Sequence, residues 1–163
     1  MPPVTILSLL AADHRQMDRL FIALDRTTAR GVRRRRELFA TLDEVLTRHA
    51  EFEERRIYPL LKDQRSSEGF AREAVEEHAA LRRLLDELRD LPPGHEQWGA
   101  KLSVLAEIVR HHVQQEEGVA FPMLHTALAK AELERLGEDY GTISDDGTGP
   151  GGLEVVRRRE MSG

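Results

Sequence analysis

The chain contains no cysteine, and this absence removes several kinds of chemistry at once. Disulfide bonds, thiolate metal ligands, iron–sulfur clusters and cysteine nucleophiles are all excluded. Aromatic residues make up only 5% of the 163 residues, and lysine occurs three times, so that nearly all cationic side chains are arginine. Any catalytic or binding chemistry must therefore come from histidine, carboxylates, hydroxyls or arginine.

The sequence also lacks any apolar run of transmembrane length, so we expect no membrane association. Its beginning, Met-Pro-Pro-Val-Thr, has no basic segment of the kind that opens a signal peptide, and we expect a cytoplasmic location. A net charge of −5 and a pI near 5.8 give no reason to expect a nucleic-acid partner. We interpret the basic run Arg33–Arg36 as the solvated start of a helix.

Apolar residues recur at helical spacing in four long segments, and none shows sustained strand alternation. The pattern predicts helices over residues 5–28 and 32–63, from the break at 66–69 to about residue 91, and over 96–128. A short helix at 130–140 and a Gly/Asp-rich flexible tail over 141–163 follow. The fold class expected is all-α: residues 1–140 form an antiparallel up-down-up-down four-helix bundle with a short C-terminal helix.

The most informative pattern is a unit that occurs twice. His49-x-x-x-Glu53 is followed six residues later by Pro59, and His112-x-x-x-Glu116 is followed six residues later by Pro122. Each unit has a lone upstream histidine, His14 and His78, at separations of 35 and 34 residues. A histidine and a glutamate four apart lie on one face of a helix, one turn apart. Two such units face to face would bring four imidazoles and two carboxylates together.

Spacing alone is weak evidence, because acidic residues are abundant and His14 also has an acidic residue, Asp18, at +4. The placement is stronger: all four histidines fall in apolar stripes, one on each helix, and both glutamates fall on the same inward faces. Buried carboxylates are costly unless a counter-charge neutralises them. The pattern therefore favours a metal site, and the alternative is a bundle with a purely protein hydrogen-bond network.

Imidazole and carboxylate ligands without sulfur suit iron, manganese or zinc. Two carboxylates able to bridge, with two imidazoles for each metal, suit a dinuclear iron or manganese centre. Dinuclear separations of about 3.5–4 Å would fit between four helices. The ferritin-like arrangement would present Glu-x-x-His, which this sequence does not contain.

The six-residue pattern, together with segments such as residues 13–21 and 117–124, resembles the hemerythrin-like, or HHE cation-binding, domain over about residues 5–140. The resemblance implies a four-helix bundle with a non-heme di-iron centre. It implies that His14 and His49 bind one iron and that His78 and His112 bind the other. Glu53, Glu116 and a solvent-derived oxo or hydroxo group would bridge the two ions. Manganese and zinc are the alternative metals.

The chain departs from the oxygen carriers that it resembles. They have a second histidine one turn away on the third helix, whereas His78 has Ala74 at −4 and Arg82 at +4. They also have an aspartate at +5 where this chain has Glu116 at +4. With one imidazole fewer, both irons could keep an open position. We therefore expect reaction with O2 or peroxide, catalase- or peroxidase-like and connected with oxidative stress, rather than reversible O2 carriage.

Two further residues are candidates for additional ligands or for supporting contacts. Tyr58 precedes Pro59, and Phe121 holds the equivalent place in the second unit; Tyr58 is either a core aromatic or a phenol that reaches iron. His111 lies about 100° around the helix from His112, which favours a flanking role over ligation.

The alternatives to an enzyme are a sensor or carrier of O2, NO or iron without catalytic turnover, and a bundle whose metal only stabilises the fold. The expected partners are the small ligands O2, peroxide or NO. For the chain itself we expect a monomer or a weak homo-oligomer.

Overall fold

The computed structural model of the chain describes residues 3–63 and 67–146, and all regular structure within these ranges is helical. The expected all-α class is therefore confirmed. Two short π-helical segments, here called π1 and π2, interrupt the α-helices. The elements in chain order are α1 (Ile6–Asp25), α2 (Val32–Phe52), π1 (Glu53–Ile57), α3 (Tyr58–Lys62), α4 (Glu68–Asp90), α5 (Glu96–Gln115), π2 (Glu116–Ala120), α6 (Phe121–Ala127) and α7 (Lys130–Asp146).

The four long predicted helices correspond closely to these elements. The second predicted helix is the continuous run α2–π1–α3, and the fourth is α5–π2–α6. The last helix differs from the prediction, because α7 extends to Asp146 and residues 141–146, expected to begin a tail, are helical. The remainder of the expected tail, residues 147–163, lies outside the described residues.

Local sequence explains where two of the long helices begin. The Thr5 hydroxyl accepts a hydrogen bond from the backbone N–H of Ser8 and so caps the N-terminus of α1. The Nδ1 atom of His95 accepts from the backbone N–H of Gln97 at the start of α5. Each contact satisfies a backbone N–H that the first turn of a helix leaves without an intrahelical partner.

The helices pack into a bundle around two apolar clusters. Helix α1 packs against α2 and α4 against α5, with further contacts between α1 and α5 and between α2 and α4, while α7 lies along α1. One cluster contains Trp98, which is fully buried, with Phe21, Phe39 and leucines of α1, α2, α4 and α5. The other contains Ile6, Ile57 and residues of α3, α4, α6 and α7. The histidines and glutamates of the repeated unit lie between the two clusters.

The arginine run at the start of α2 is mostly solvated, as predicted, but Arg35 is partly buried and contacts other segments of the chain. The Arg35 guanidinium lies 5.1 Å from the centroid of the Trp98 ring and donates a hydrogen bond to the carbonyl oxygen of Pro93. Arg33 donates to Glu37 one turn away, which offsets part of the charge at this helix end. None of the helices in the described part of the chain combines the length and apolar character needed to cross a membrane.

Helix α7 packs closely against the start of α1 at Gly137. A Cβ atom at this position would lie 2.6 Å from the backbone oxygen of Val4 and 3.0 Å from the backbone nitrogen of Ile6. We expect Gly137→Ala to lower the free energy of unfolding by about 1–3 kcal/mol, because backbone atoms cannot yield to the added methyl group as a flexible side chain would. Urea denaturation measures the change.

Gly141→Ala is the matched control on the same helix, since a Cβ there meets nothing within 4 Å. This substitution should instead raise the free energy of unfolding by about 0.5–1 kcal/mol through helix propensity. Equal effects of the two substitutions would contradict the packing of α7 on α1.

Candidate metal centre

Six side chains of the repeated pattern meet in the interior of the bundle. His14 comes from α1, His49 from α2, His78 from α4 and His112 from α5, and all four are at least 95% buried. The two glutamates are the first residues of π1 and π2, and both are fully buried. All six residues predicted as metal ligands are therefore brought to one place: His14, His49, Glu53, His78, His112 and Glu116.

The π-helical segments occur at equivalent positions of the two units. In π1 the backbone N–H of Tyr58 donates to the carbonyl oxygen of Glu53, and in π2 Phe121 donates to Glu116, five residues back in each case. Each widened turn begins at the glutamate and ends two residues before Pro59 or Pro122. A proline near a helix end removes a hydrogen-bond donor and can bend the helix; here a π-helical turn lies ahead of each proline. Such turns occur frequently at functional sites.

The first half of the cluster contains His14, His49 and both glutamates. His14 Nε2 lies 3.1 Å from His49 Nε2 and 3.2 Å from Glu116 Oε2. His49 Nε2 lies 2.8 Å from Glu53 Oε1. One donor atom from each of the four residues falls within 4.8 Å of the others, a spacing that could hold a metal ion.

The second half contains His78, His112 and Glu53, whose donor atoms also fall within 4.8 Å of one another. The two Nε2 atoms are 3.2 Å apart, and Glu53 Oε2 lies 3.4 Å from His78 Nε2 and 3.8 Å from His112 Nε2. Glu53 is thus common to both halves. Glu116 also reaches across, because its Oε2 atom lies 3.7 Å from His112 Nε2.

The Tyr58 hydroxyl lies inside the second half. It is 3.2 Å from Glu53 Oε2, to which it donates, 3.1 Å from His78 Nε2 and 3.2 Å from His112 Nε2. Burial and the carboxylates of Glu53 and Glu116 raise the pKa of the Tyr58 phenol well above its usual value. Phe121, the equivalent residue of the second unit, stacks on the ring of His14 at 5.8 Å and has no polar group to offer.

Sequence reasoning missed four carboxylates that contact the outer side of the four imidazoles. Each one lies against the Nδ1 atom of a histidine whose Nε2 atom faces the centre. The pairs are Asp13 with His49 at 3.2 Å, Glu54 with His78 at 2.9 Å, Glu77 with His112 at 2.6 Å and Glu117 with His14 at 2.7 Å. Partners of this kind fix the ring orientation and the tautomer of a metal-binding histidine.

A signal for these partners exists in the sequence. Asp13 and Glu77 immediately precede the two upstream histidines, and Glu54 and Glu117 immediately follow the two glutamates of the repeated unit. The repeat therefore includes two further acidic residues in each unit, one before the upstream histidine and one after the glutamate. Adjacent residues on a helix point about 100° apart, so each acid contacts a histidine of a neighbouring helix and not its own neighbour.

His111 lies outside the cluster. Its side chain is 62% exposed, and its Nδ1 atom contacts Glu77 Oε1 at 3.0 Å, while the other oxygen of Glu77 contacts His112. The hydrogen bond from His112, followed by that from His111, keeps the pKa of Glu77 below its usual value. The contact of His111 with the centre is therefore indirect, through one carboxylate.

The centre has many hydrogen-bond acceptors and few donors. A carboxylate accepts only, so each Nδ1 atom carries the hydrogen that it donates, and a neutral imidazole then presents a lone pair at Nε2. While the Nε2 atoms around them carry no hydrogen, Glu53 Oε1 and both carboxylate oxygens of Glu116 are buried without a hydrogen-bond donor. Groups in such a state are costly, and a cation at the centre would satisfy them. Because the cluster combines imidazole lone pairs with buried carboxylate oxygens, its residues fit a bound metal ion.

Without a metal, protons supply the positive charge. Burial disfavours the charged form of His112, but Glu53, Glu77 and Glu116 outweigh it and raise its pKa to about 10. The pKa of His49 is also raised well above its usual value, because the attraction of Glu53 and the hydrogen bond to Asp13 exceed the cost of burial. Burial raises the pKa of Glu53, but His49 and the hydrogen bonds from the imidazoles hold it well below its usual value.

Comparisons with known proteins agree with this geometry. A curated relative from Nostoc sp. (strain PCC 7120), named DNA nickase, is 27% identical over 137 residues, which are 84% of this chain. The chain spans only 38% of that relative's length. No solved structure matches the chain. The family model of the hemerythrin HHE cation-binding domain matches residues 5–124, a region that holds all six clustered residues. The chain therefore belongs to the hemerythrin HHE cation-binding domain family.

Proposed function

We propose that the chain binds two metal ions at six side chains. His14 and His49 bind one ion, His78 and His112 bind the other, and Glu53 and Glu116 are shared. The observation that carries the proposal is the convergence of four Nε2 atoms and two buried carboxylates in two overlapping groups with Glu53 in common. Three of the four carboxylate oxygens have no hydrogen-bond partner. Unlike a self-sufficient hydrogen-bond network, this cluster needs added positive charge.

The metal proposed is iron, as a non-heme di-iron centre; manganese and zinc are the alternatives that the same ligands accommodate. Two bound irons would supply redox chemistry and open coordination positions toward O2 or peroxide. Because each half of the cluster contains only two imidazoles, we propose catalase- or peroxidase-like reactivity. A sensor or carrier of O2, NO or iron is the alternative, and a cytoplasmic, monomeric or weakly oligomeric protein stays an expectation.

The two halves differ in a way that bears on where a small molecule would bind. The Tyr58 hydroxyl already contacts the donor atoms of the second half, so we propose Tyr58 as an additional ligand or hydrogen-bond donor there. A cleft of about 790 Å³ between α1 and α5 reaches His14 and Glu117, in the first half. Its apolar lining includes Phe21, Val109 and Val113. We propose that O2 or peroxide enters through this cleft.

Metal content is the primary test. Protein purified from iron-replete culture should contain about two irons per chain. His49→Ala and Glu116→Ala should each lose most of this iron, because each substitution removes one of the ligand atoms of the first half of the cluster. His125→Ala is the control, since His125 is exposed on α6. Elemental analysis measures the content. Stoichiometric zinc with no iron would contradict the redox function, while retention of both irons in Glu116→Ala would contradict the proposed ligand set.

Metal binding should release protons. The raised pKa values of His49 and His112 keep these imidazoles charged near pH 7 in the metal-free protein, and a metal ion needs their lone pairs. The apparent affinity should therefore rise with pH between about 6 and 8. Calorimetry of Zn²⁺ binding in buffers of different ionisation enthalpy measures the number released. A Zn²⁺ affinity that does not depend on pH would show that metal binding displaces no protons from the imidazoles, and would contradict this prediction.

Peroxide turnover tests the reaction and the route together. The iron-loaded protein should consume hydrogen peroxide and evolve one O2 for every two molecules consumed. Gln114→Trp, in the wall of the cleft, should lower kcat/KM by about tenfold or more, corresponding to about 1.4 kcal/mol or more in activation free energy. Val104→Trp on the same helix is the control, because Val104 is exposed and outside the cleft lining.

Other outcomes of the peroxide assay separate the alternatives. A stable, reversible O2 adduct with peroxide left untouched would favour the sensor or carrier. Loss of the fold on metal removal, with neither reaction, would favour a structural metal. Equal rates for Gln114→Trp and the native chain would contradict entry through the cleft.

DNA nicking is a second candidate, raised by the name of the Nostoc relative that this chain matches over 137 residues. Pairs of metal ions also serve nucleases, which gives the candidate a chemical basis. The net charge of −5 counts against binding to a polyanion. Conversion of supercoiled plasmid to nicked circles by the metal-loaded chain, absent in His49→Ala, would overturn the expectation that nucleic acid is not a partner.

A further inference from the structure

Helix α7 lies beyond the residues that the family model matches, yet one of its side chains enters the interior near the metal centre. Tyr140 is only 2% exposed, and its ring lies 4.7 Å from that of Phe52. Its hydroxyl donates a hydrogen bond to Asp13 Oδ2. Asp13 in turn contacts the Nδ1 atom of His49. A continuous chain of contacts therefore links α7 to one of the proposed ligands.

The Asp13 carboxylate is held from several directions. Besides Tyr140 and His49, Arg48 Nη2 donates to Asp13 Oδ1 at 3.1 Å. The Arg48 guanidinium also lies 5.5 Å from the centroid of the Tyr140 ring, and its Nε atom donates to the Tyr140 hydroxyl at 3.3 Å. The Asp13 side chain is only 10% exposed, so water has little part in satisfying its carboxylate. Its orientation is set by these protein groups.

We propose that Tyr140 is a positioning residue that acts on His49 through Asp13 and so strengthens metal binding in the first half of the centre. The inference rests on the proposed metal centre and goes beyond it, because it assigns a role to a helix outside the matched domain. By donating to Oδ2, Tyr140 limits rotation of the carboxylate. Asp13 then holds the His49 ring with its Nδ1 hydrogen outward and its Nε2 lone pair toward the centre.

The asymmetry of the centre supports this assignment. Glu77, the equivalent of Asp13 in the second unit, has the exposed His111 as its other partner in place of a buried phenol. Glutamates also contact the imidazoles of His14 and His78, so that Asp13 is the one aspartate among the four outer carboxylates and has the shortest side chain. Loss of the Tyr140 hydroxyl should therefore affect one half of the centre and leave the other unchanged.

The experiment is a titration of the metal-free chain of 163 residues with Co²⁺, followed by visible absorption. The native chain should bind two equivalents. Tyr140→Phe should weaken one of the two by about tenfold and alter its spectrum, since loss of an outer hydrogen bond typically costs about 10–100-fold in metal affinity. Asp13→Asn should weaken the same equivalent by at least as much. The double variant should match Asp13→Asn, because both changes break one chain of contacts.

Asp139→Asn is the matched control on α7. It removes the ion pair of Asp139 with Arg56, 2.6 Å long, and leaves the contacts of Asp13 intact. This variant should bind both equivalents as the native chain does. Unfolding of the metal-free proteins, followed by circular dichroism, should give similar Tm values for Tyr140→Phe and Asp139→Asn, because the tyrosine ring packing is retained.

Three results would overturn the inference. If the native chain binds two equivalents and Tyr140→Phe binds both unchanged, the positioning role is wrong and the metal centre stands. If Asp139→Asn weakens Co²⁺ binding as much as Tyr140→Phe does, the effect comes from docking of α7 and not from the phenol. If the native chain binds no Co²⁺, the metal centre is wrong and the role of Tyr140 falls with it.

Discussion

Every imidazole at the centre of this protein is hydrogen-bonded through its outer Nδ1 atom to a carboxylate. These hydrogen bonds determine which atoms of the imidazoles face the centre and in what protonation state. A carboxylate cannot donate, so the Nδ1 atoms of all four histidines must carry hydrogen, and their Nε2 lone pairs meet one another and the oxygens of Glu53 and Glu116. The Tyr58 hydroxyl is the donor that the described residues place among them. Such a set of acceptors is stable in an apolar interior only with added positive charge, from protons or from metal ions.

The rest of the fold places these acceptors within a few ångströms of one another. The contacts of the outer carboxylates form a closed ring around the bundle. Asp13 of α1 contacts a histidine of α2, and Glu54 of π1 contacts one of α4. Glu77 of α4 contacts a histidine of α5, and Glu117 of π2 contacts one of α1. Each of the four continuous helical runs, α1, α2–π1–α3, α4 and α5–π2–α6, thus supplies a central histidine and also orients a histidine of a neighbouring run. A change of register in any one helix would disturb two contacts on different helices.

Much of this arrangement could be predicted from the sequence because it depends on spacing along single helices. The long helices follow from apolar periodicity, and the shared faces of His49 with Glu53 and of His112 with Glu116 follow from a spacing of four residues. The outer carboxylates were missed because their contacts cross between helices, and a single sequence does not give the relative rotation of two helices. The π-helical turns were missed because a proline at a helix end is compatible with a bend as well as with a widened turn.

The last helix illustrates a different limit. The Gly/Asp-rich composition from Gly141 onward predicted that the helix ends near residue 140, but α7 continues to Asp146. Gly137 permits the close approach of α7 to α1, a tertiary contact that local propensity does not report. The same packing brings Tyr140 to Asp13. The two halves of the centre are therefore related by the repeat but not identical. The second half contains the Tyr58 hydroxyl. The first half has Phe121 beside His14, the α1–α5 cleft and the contact of Tyr140 with Asp13.

The central claim is that two metal ions occupy the space between the Nε2 atoms. The most direct measurement is anomalous diffraction at the iron edge from crystals of protein purified from iron-supplemented culture. The account predicts two iron peaks per chain, one beside His14 and His49 and one beside His78 and His112, with Glu53 and Glu116 in contact with both. A well-ordered centre without a metal peak, its imidazoles hydrogen-bonded to the glutamates alone, would contradict it.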